Sequence, residues 1–396
     1  CSSGGSSGSA SKADTSTTAA AKTTTTVKRI EWPKPVFVEG KCPMDITDEA
    51  ITDVTCGTVK VPENRLDPDS KMIELAVATL HSTADDPRPD PVVRLEGGPG
   101  FSSLDGVGNY SQSALLDTRD YIIWDQRGTG YSTPNLDCPE NNEAIWAAFR
   151  TTDDAATEGG RLEDALRTCR DRLRKEGVDL NGYTTTQNAA DLTDLRVALG
   201  IDEWNLRGVS YGSALAMETV RNHPDCLRSV LLDSIVPPDG ALGGVGRGES
   251  ALLSFEQVYK ACAADEACTE KYGDLEELFH QAGDMLDENP YETTVTDNQT
   301  GEDREVSITG QDVWAGLFNA MYDNELIPAL PSVAKAITEG QNGVVDVVAQ
   351  DGIPLATDQT DGMTVSVECA DNQDIFDADA VEPFLTEHPE LAALVH

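Results

Sequence analysis

The sequence predicts an α/β fold, in which helices cover both faces of a mostly parallel sheet. Strand-like and helix-like segments alternate along its middle part, and several predicted strands end in glycine-rich turns. A serine also stands between two glycines in Gly208-Val209-Ser210-Tyr211-Gly212, where a predicted strand meets a predicted helix. Because crossovers between parallel strands are right-handed, the loops after these strands are expected to share one edge of the sheet.

The predicted strands differ in how much of their surface is buried. Apolar residues alternate at Ile73, Leu75 and Val77, which is typical of a strand with one buried face. The apolar run within residues 120–125 is of the kind found in strands buried on both faces. Strands are predicted at residues 56–64, 71–81, 90–96, 120–125, 201–209 and 229–236.

Two helices complete the alternation. Leu192, Leu195 and Leu199 recur at three- and four-residue spacing before Gly200, which predicts an amphipathic helix over residues 184–200. A second helix is predicted from the serine to about residue 222. Beyond residue 237 the pattern is mainly helical with one hairpin-like stretch, which predicts an inserted lid. The predicted division is a tether at 1–29, a core at 30–237, a helical lid at 238–365 and an incomplete return toward the core at 366–396.

The charge balance limits the partners of the protein. The chain has 70 acidic and 29 basic residues, and its formal net charge is -41. A polyanion would be repelled by this charge, so nucleic acid is excluded as a partner. No run of eighteen apolar residues occurs, so no membrane-spanning segment is predicted.

The first residue, Cys1, precedes a tract of serine, glycine and threonine that cannot form a core. This arrangement resembles the start of a mature bacterial lipoprotein, in which the cysteine carries a lipid. The expectation is an extracytoplasmic protein anchored to a membrane or cell surface through Cys1. The alternative is a free thiol at this position.

Nine cysteines are typical of an oxidising compartment. Their short spacings predict disulfides between Cys42 and Cys56, Cys138 and Cys169, and Cys262 and Cys268. Cys226 and Cys369 are then left, either joined to each other or without partners. No metal site is predicted, because no pair has C-x-x-C spacing and no histidine stands nearby in sequence.

Ser210 has the surroundings of a nucleophile elbow, a sharp strand-to-helix turn that exposes a serine. The glycine-rich turn Glu96-Gly97-Gly98-Pro99-Gly100 follows another predicted strand. Serine attack on a carbonyl forms an oxyanion that needs two hydrogen-bond donors. The backbone N–H groups of Gly98 and Tyr211 are predicted to supply them, the latter at a helix N-terminus that favours negative charge.

Several motifs together resemble the prolyl and tripeptidyl aminopeptidase branch of the α/β-hydrolases. They are EGGPG at 96–100, DQRGTGYS at 125–132, YTTTQNAADLTDLRVALG at 183–200, GVSYGS at 208–213, VLLDSIVPPD at 230–239 and SVECAD at 366–371. The resemblance implies an α/β-hydrolase fold with a lid, and a serine peptidase without a cofactor that acts on the free N-termini of peptides. Many members of the wider family have histidine where this chain has Glu96. DQRGTGYS is interpreted as a turn that supports the oxyanion loop.

An aminopeptidase must also recognise a charged amine, which requires carboxylates at one end of the cleft. Glu368 and Asp371 are the candidates, because they flank Cys369 where the lid should return to the core. A surface or structural role is the alternative for both.

The acid and base that should activate the serine are not evident. None of the five histidines, His81, His223, His280, His388 and His396, has the surroundings expected of the base. Asp233 could serve as the acid, although it is the weaker choice. We therefore expect a C-terminal segment or a second chain to complete the fold. The predicted function is an exported serine aminopeptidase, with a carboxylesterase or a non-catalytic surface relative as alternatives.

Overall fold

The structure is a computed structural model, and it describes residues 30–44, 53–151, 155–237, 244–341, 343–371 and 378–395. The predicted tether at 1–29, with Cys1, lies outside the described residues, as does His396. In the part of the chain that is described, no helix is both long and apolar enough to cross a membrane.

A seven-stranded mixed sheet forms the centre of the core. Its strands are β1 (Phe37–Gly40), β2 (Val54–Pro62), β3 (Met72–Leu80), β4 (Val92–Leu95), β5 (Tyr121–Trp124), β6 (Trp204–Val209) and β7 (Leu227–Asp233). They lie in the order β1-β2-β3-β5-β4-β6-β7. β1 pairs antiparallel with β2, β2 with β3, and β3 with β5. The strands β5, β4, β6 and β7 are parallel to one another. The carboxyl ends of these four strands therefore meet at one edge.

Burial follows the predicted pattern in β5 but not in β3. Ala76 and Ala78 are buried as well as the alternating apolar residues of β3, so the prediction of one buried face is wrong for that strand. All four residues of β5 are buried, as expected of a central strand covered on both faces. Two helices, α3 (Thr185–Leu199) and α4 (Tyr211–Asn222), precede and follow β6. Thr184 caps α3 by accepting a hydrogen bond from the Gln187 N–H, and Gly200 ends that helix with φ of 70°.

The remaining elements lie mainly after residue 237, in the segment that the sequence predicts to be a lid and that we call the lid. The other helices are α1 (Pro139–Ala148), α2 (Ala155–Lys175), α5 (Val245–Ala263), α6 (Glu266–Tyr272), α7 (Leu275–Glu288), α8 (Gly310–Ala320), α9 (Leu330–Thr338), α10 (Gly343–Thr357), α11 (Asp361–Asp371), α12 (Val381–Glu387) and α13 (Ala392–Val395). The predicted hairpin is present as β8 (Tyr291–Thr296) and β9 (Asp303–Ile308), which pair antiparallel.

An aromatic cluster holds the lid helices together. The rings of Phe255 and Trp314 lie 5.0 Å apart edge to face, and the Phe279 ring lies 6.0 Å from Phe255. Leu391 and Val395 are buried in the same cluster. The chain after residue 380 therefore packs on the lid helices.

The helix α11 returns from the lid to the core. Its Met363 and Val367 are buried in one cluster with Leu136, Leu173 and Tyr211. Because Tyr211 follows the candidate nucleophile, α11 lies beside the edge of the sheet where chemistry is expected.

The structure contains the three disulfides that the spacing predicted, Cys42–Cys56, Cys138–Cys169 and Cys262–Cys268. Cys369 is an exposed free thiol, whereas Cys226 is disulfide-bonded. The predicted Cys226–Cys369 disulfide is therefore wrong, and the alternative that both lack partners holds for Cys369 alone.

Candidate active site

Ser210 occupies the sharp turn between β6 and α4. Its backbone has φ of 53° and ψ of -123°, a conformation that is strained for a residue with a side chain. Two backbone hydrogen bonds hold this conformation. The Ser210 N–H donates to Asp233 O, and the Ser213 N–H donates to Ser210 O. The Ser213 hydroxyl donates to the same Ser210 carbonyl. The geometry is that of a nucleophile elbow.

Gly208 and Gly212, which flank Ser210, lie so close to neighbouring backbone that neither position has room for a side chain. A Cβ on Gly208 would overlap the carbonyl of Gly212, and a Cβ on Gly212 would overlap the carbonyl of Leu95. The elbow therefore packs directly against the end of β4, where the glycine-rich turn begins.

The glycine-rich turn faces the serine. A Cβ placed on Gly97 would lie 3.2 Å from Ser210 Cβ and 3.7 Å from Ser210 Oγ. The Gly97 N–H is already used, because it donates to Glu96 Oε1 over 3.1 Å. Within the described residues, no protein acceptor takes the N–H of Gly98, which leaves it available for an oxyanion. The N–H of Tyr211 lies in the first turn of α4, where backbone donors have no partner within the helix.

Glu96 anchors the turn rather than facing solvent. Its carboxylate accepts two hydrogen bonds from Arg94, at 2.7 and 2.8 Å, and one from the Tyr110 hydroxyl at 3.0 Å. The Glu96 carbonyl accepts a further hydrogen bond from Gln126. Although burial opposes it, the Arg94 guanidinium and these donors hold the pKa of Glu96 below its usual range.

Asp125, the first residue of DQRGTGYS, anchors the other end of the turn. Its fully buried carboxylate accepts hydrogen bonds from the Ser102 hydroxyl and from the N–H groups of Ser103, Leu104 and Tyr131, at 2.8 to 3.0 Å. Burial raises the pKa of Asp125 to about 6. These contacts support the predicted structural role of the motif.

The candidate amine-binding residues have different surroundings. Asp371 is exposed and accepts a hydrogen bond from the Thr185 N–H at the start of α3. Glu368 is partly buried, and among the described residues no hydrogen bond reaches its carboxylate. Burial raises the pKa of Glu368, and nearby Arg247 opposes this rise. Glu368 is therefore the better placed of the two to receive a cation, whereas Asp371 already supports a helix.

No histidine of the described chain contacts Ser210. His81 lies between Thr55 and Asp120, where β5 begins, which is the opposite edge of the sheet. His223 follows the last residue of α4, thirteen residues and about 20 Å from Ser210, and burial lowers its pKa. In the lid, His280 packs on Trp314 and His388 packs on Phe384.

Asp233 ends β7 beside the elbow, where its backbone carbonyl accepts the Ser210 N–H. Its side chain is half exposed and lies 3.7 Å from Arg207 of β6. Nothing in the described residues brings a histidine to it. Asp233 remains the weaker candidate for the acid.

The last strand of the sheet borders the elbow and has an open outer edge. The strand β7 pairs only with β6 among the described residues, and its Leu231 side chain is 57% exposed. Open strand edges with exposed apolar side chains are usually paired or covered in native proteins. In the described chain, no group of three histidine, cysteine or acidic side chains is arranged to hold a metal ion.

The chain resembles known hydrolases. The α/β-hydrolase fold family matches residues 90–268. A tripeptidyl aminopeptidase of Streptomyces lividans is 30% identical over 193 residues, which are 47% of this chain and 36% of that protein. The serine protease Hip1 of Mycobacterium tuberculosis is 23% identical over 347 residues, which are 82% of this chain and 65% of that protein. A proline iminopeptidase of Xylella fastidiosa is 28% identical over 149 residues, covering 38% of this chain and 33% of that protein.

Among solved structures, an esterase from Exiguobacterium antarcticum aligns with 52% of this chain and 57% of its own, at 19% identity and a TM-score of 0.28. A TM-score this low supports no conclusion about the present chain. The chain spans between about a third and two thirds of the length of the relatives described above. The family match and the elbow show an α/β-hydrolase fold, and the relatives that the chain resembles include aminopeptidases.

Proposed function

We propose that this α/β hydrolase is the nucleophile-bearing part of a serine aminopeptidase that releases prolyl or short peptide units from free peptide N-termini. The observation that carries the proposal is the strained Ser210, held against a glycine-rich turn with an available backbone N–H. In the proposed reaction, Ser210 Oγ attacks the scissile carbonyl and the Gly98 and Tyr211 N–H groups stabilise the oxyanion. Loss of the amine product leaves an acyl-enzyme, which water then hydrolyses.

Recognition of the free amine is assigned to Glu368. The partly buried Glu368 carboxylate has Arg247 nearby but accepts no hydrogen bond among the described residues, so a substrate ammonium would supply one. Asp371 is not assigned this role, because its carboxylate already accepts the Thr185 N–H.

A completing segment is part of the proposal. Ser210 needs a base to take its proton, and in the described residues no histidine contacts it. We assign the open edge of β7 as the place where a C-terminal segment or second chain adds strands and brings an acid and a histidine to the elbow. The longer relatives, of which this chain covers a third to two thirds, support this assignment.

Export and lipid anchoring through Cys1 belong to the same proposal. Three disulfides support an oxidising, extracytoplasmic location. Mass spectrometry of the native protein provides the test, because a diacylglyceryl modification on Cys1 is expected and an unmodified Cys1 would refute the anchor.

The function is tested on the native protein expressed from its complete gene. We expect it to cleave aminoacyl and tripeptidyl anilides, to leave their N-acetylated forms nearly uncleaved, and to lose activity on Ser210→Ala. Equal turnover of simple aryl esters and blocked peptides would instead identify a carboxylesterase. No turnover of any of these, and no labelling of Ser210 by a fluorophosphonate, would identify a non-catalytic relative.

Two variants separate the amine-binding candidates. Because a hydrogen bond to a charged group contributes about 1.5–3 kcal/mol, Glu368→Gln should lower kcat/KM for free-amine substrates about 10- to 100-fold. Asp371→Asn is the matched control and should change kcat/KM by less than about threefold. The reverse order of the two effects would refute the assignment to Glu368.

A further inference from the structure

The start of α11 is bonded to the crest of the glycine-rich turn. The Thr364 hydroxyl donates to Pro99 O over 2.6 Å, and the side-chain amide of Gln359 donates to the same oxygen over 2.5 Å. The Thr360 N–H donates to Gly100 O over 3.0 Å. Three hydrogen bonds, one from α11 and two from the residues just before it, therefore join this segment to the loop that carries the oxyanion donor.

This contact is also close-packed. Gly100 has φ of 112°, and a Cβ added there would lie 2.5 Å from Thr364 Oγ1. The crest of the turn therefore cannot shift relative to α11 without losing its hydrogen bonds or clashing with Thr364.

The same helix carries the proposed amine receptor. Glu368 follows Thr364 by four residues, so the two side chains lie on one face of α11, one turn apart. The adjacent face is fixed, since Met363 and Val367 are buried against the core beside Tyr211. The helix α11 thus carries both Glu368, the proposed amine-binding residue, and Thr364, which is hydrogen-bonded to the turn.

We propose that Thr364 is a positioning residue that couples amine recognition at Glu368 to the geometry of the oxyanion turn. This inference rests on the aminopeptidase function proposed above. A substrate ammonium bound by Glu368 holds α11 in place, and the hydrogen bond from Thr364 holds Pro99 in turn. The adjacent Gly98 N–H is then held at the oxyanion position.

The coupling has a specific kinetic consequence. An interaction that only binds substrate lowers KM, whereas one that improves transition-state stabilisation raises kcat. The free amine should therefore increase kcat as well as affinity. A blocked substrate should lose kcat because it cannot order α11, in addition to binding more weakly.

The test compares two hydroxyl deletions on one helix in the complete native enzyme. Thr364→Val removes the hydrogen bond to Pro99 O and keeps the side-chain shape. Ser366→Ala is the matched control, because the Ser366 hydroxyl donates only to Gly362 O of its own helix. For each enzyme, kcat and KM are measured with a free-amine anilide and its N-acetylated form, and thermal unfolding is recorded.

We expect Thr364→Val to lower kcat for the free-amine substrate about 3- to 10-fold, with KM nearly unchanged. The ratio of kcat for the free and blocked substrates should fall toward one, and the effects of Thr364→Val and Glu368→Gln on kcat should be non-additive. Ser366→Ala should preserve the ratio.

Each alternative outcome overturns the inference in a recognisable way. An equal loss of kcat on both substrates would mean that Thr364 supports the turn without coupling it to the amine. The same loss in Ser366→Ala, or a large fall in unfolding temperature in Thr364→Val alone, would indicate general loosening of the helix. If the wild-type enzyme shows no preference for the free amine, the proposed function itself fails.

Discussion

At the scale of single residues, the elbow depends on positions where no side chain fits. Gly208 and Gly212 let the helix after Ser210 pass close to the ends of β6 and β4. This space allows the serine to hold φ of 53° while its neighbours keep their hydrogen bonds. The cost of the strained serine is therefore balanced by the packing around it.

We predict that Gly212→Ala lowers the free energy of unfolding by about 2–4 kcal/mol, because its Cβ would overlap Leu95 O. Urea denaturation measures this change. Gly160→Ala is the control, since Gly160 lies in α2 with nothing within 4 Å of an added Cβ. The control should be neutral or stabilising by about 0.5–1 kcal/mol, and equal destabilisation of both variants would contradict the steric account.

Asp125 gives a residue-scale prediction about pH. Burial raises its folded-state pKa to about 6 from the ordinary value of 3.8, so the folded protein binds this proton more tightly than the unfolded chain does. The contribution to stability is therefore fully present below about pH 4 and is lost as the pH rises through 6. The difference in unfolding free energy between wild type and Asp125→Asn should fall by about 3 kcal/mol from pH 4 to pH 7. A constant difference across this range would refute the raised pKa.

At the scale of elements, disulfides join segments over very different lengths of chain. Cys138–Cys169 closes a separation of 31 residues and ties the start of α1 to α2, whereas Cys262–Cys268 closes only 6 residues between α5 and α6. Because the entropy lost by the unfolded chain grows with loop length, the longer loop should stabilise more.

We predict a destabilisation of about 4 kcal/mol for the Cys138→Ala/Cys169→Ala variant and about 2 kcal/mol for Cys262→Ala/Cys268→Ala. Chemical denaturation of the oxidised proteins gives both values. An equal or reversed order would show that local packing of the cysteines, rather than loop closure, sets their contribution.

The elements differ in how far the sequence predicted them. The predicted core strands, the helix over residues 184–200, the lid hairpin and the strand–serine–helix turn are all present, because each has a short-range pattern of apolar residues or glycines. The helices α1, α2 and α11 were not predicted. The role of α11 depends on hydrogen bonds from Thr364 to a residue 265 positions earlier, which no local pattern encodes.

The candidate active site also combines features that the sequence predicted with features that it did not. Ser210 and its glycine turn were found from their motifs, but the anchoring of Glu96 was missed. Arg94 and Glu96 are two residues apart at the end of β4, so they share one side of the strand, and this spacing was the available signal. The Gly97 N–H donates to Glu96, which leaves the Gly98 N–H available for the oxyanion. Only the folded turn shows this difference.

At the scale of the whole molecule, the net charge of -41 should oppose the compact state through self-repulsion. Salt screens such repulsion, and the Debye length falls from about 10 Å at 0.1 M to about 3 Å at 1 M. We predict that raising NaCl from about 0.05 to about 1 M increases the free energy of unfolding at pH 7 by roughly 1–2 kcal/mol. Near pH 4.2, where the net charge is close to zero, the increase should vanish; an equal salt effect at both pH values would contradict this explanation.

We propose that Ser210 is a nucleophile whose acid and base come from a further segment. General-base activation contributes about 10²- to 10⁴-fold, and the loss is larger when a triad acts as a unit. The elbow and the oxyanion turn alone therefore cannot support enzymatic rates.

The most direct measurement is the rate at which the purified 396-residue chain hydrolyses aminoacyl and tripeptidyl anilides, compared with its Ser210→Ala variant and with the native protein expressed from its complete gene. We predict the same hydrolysis rate for the 396-residue chain and its Ser210→Ala variant. We predict turnover at ordinary enzyme rates of roughly 1 to 10³ per second for the native protein. Turnover at such rates by the 396 residues alone, abolished by Ser210→Ala, would contradict it and would make His388 the first candidate for the base.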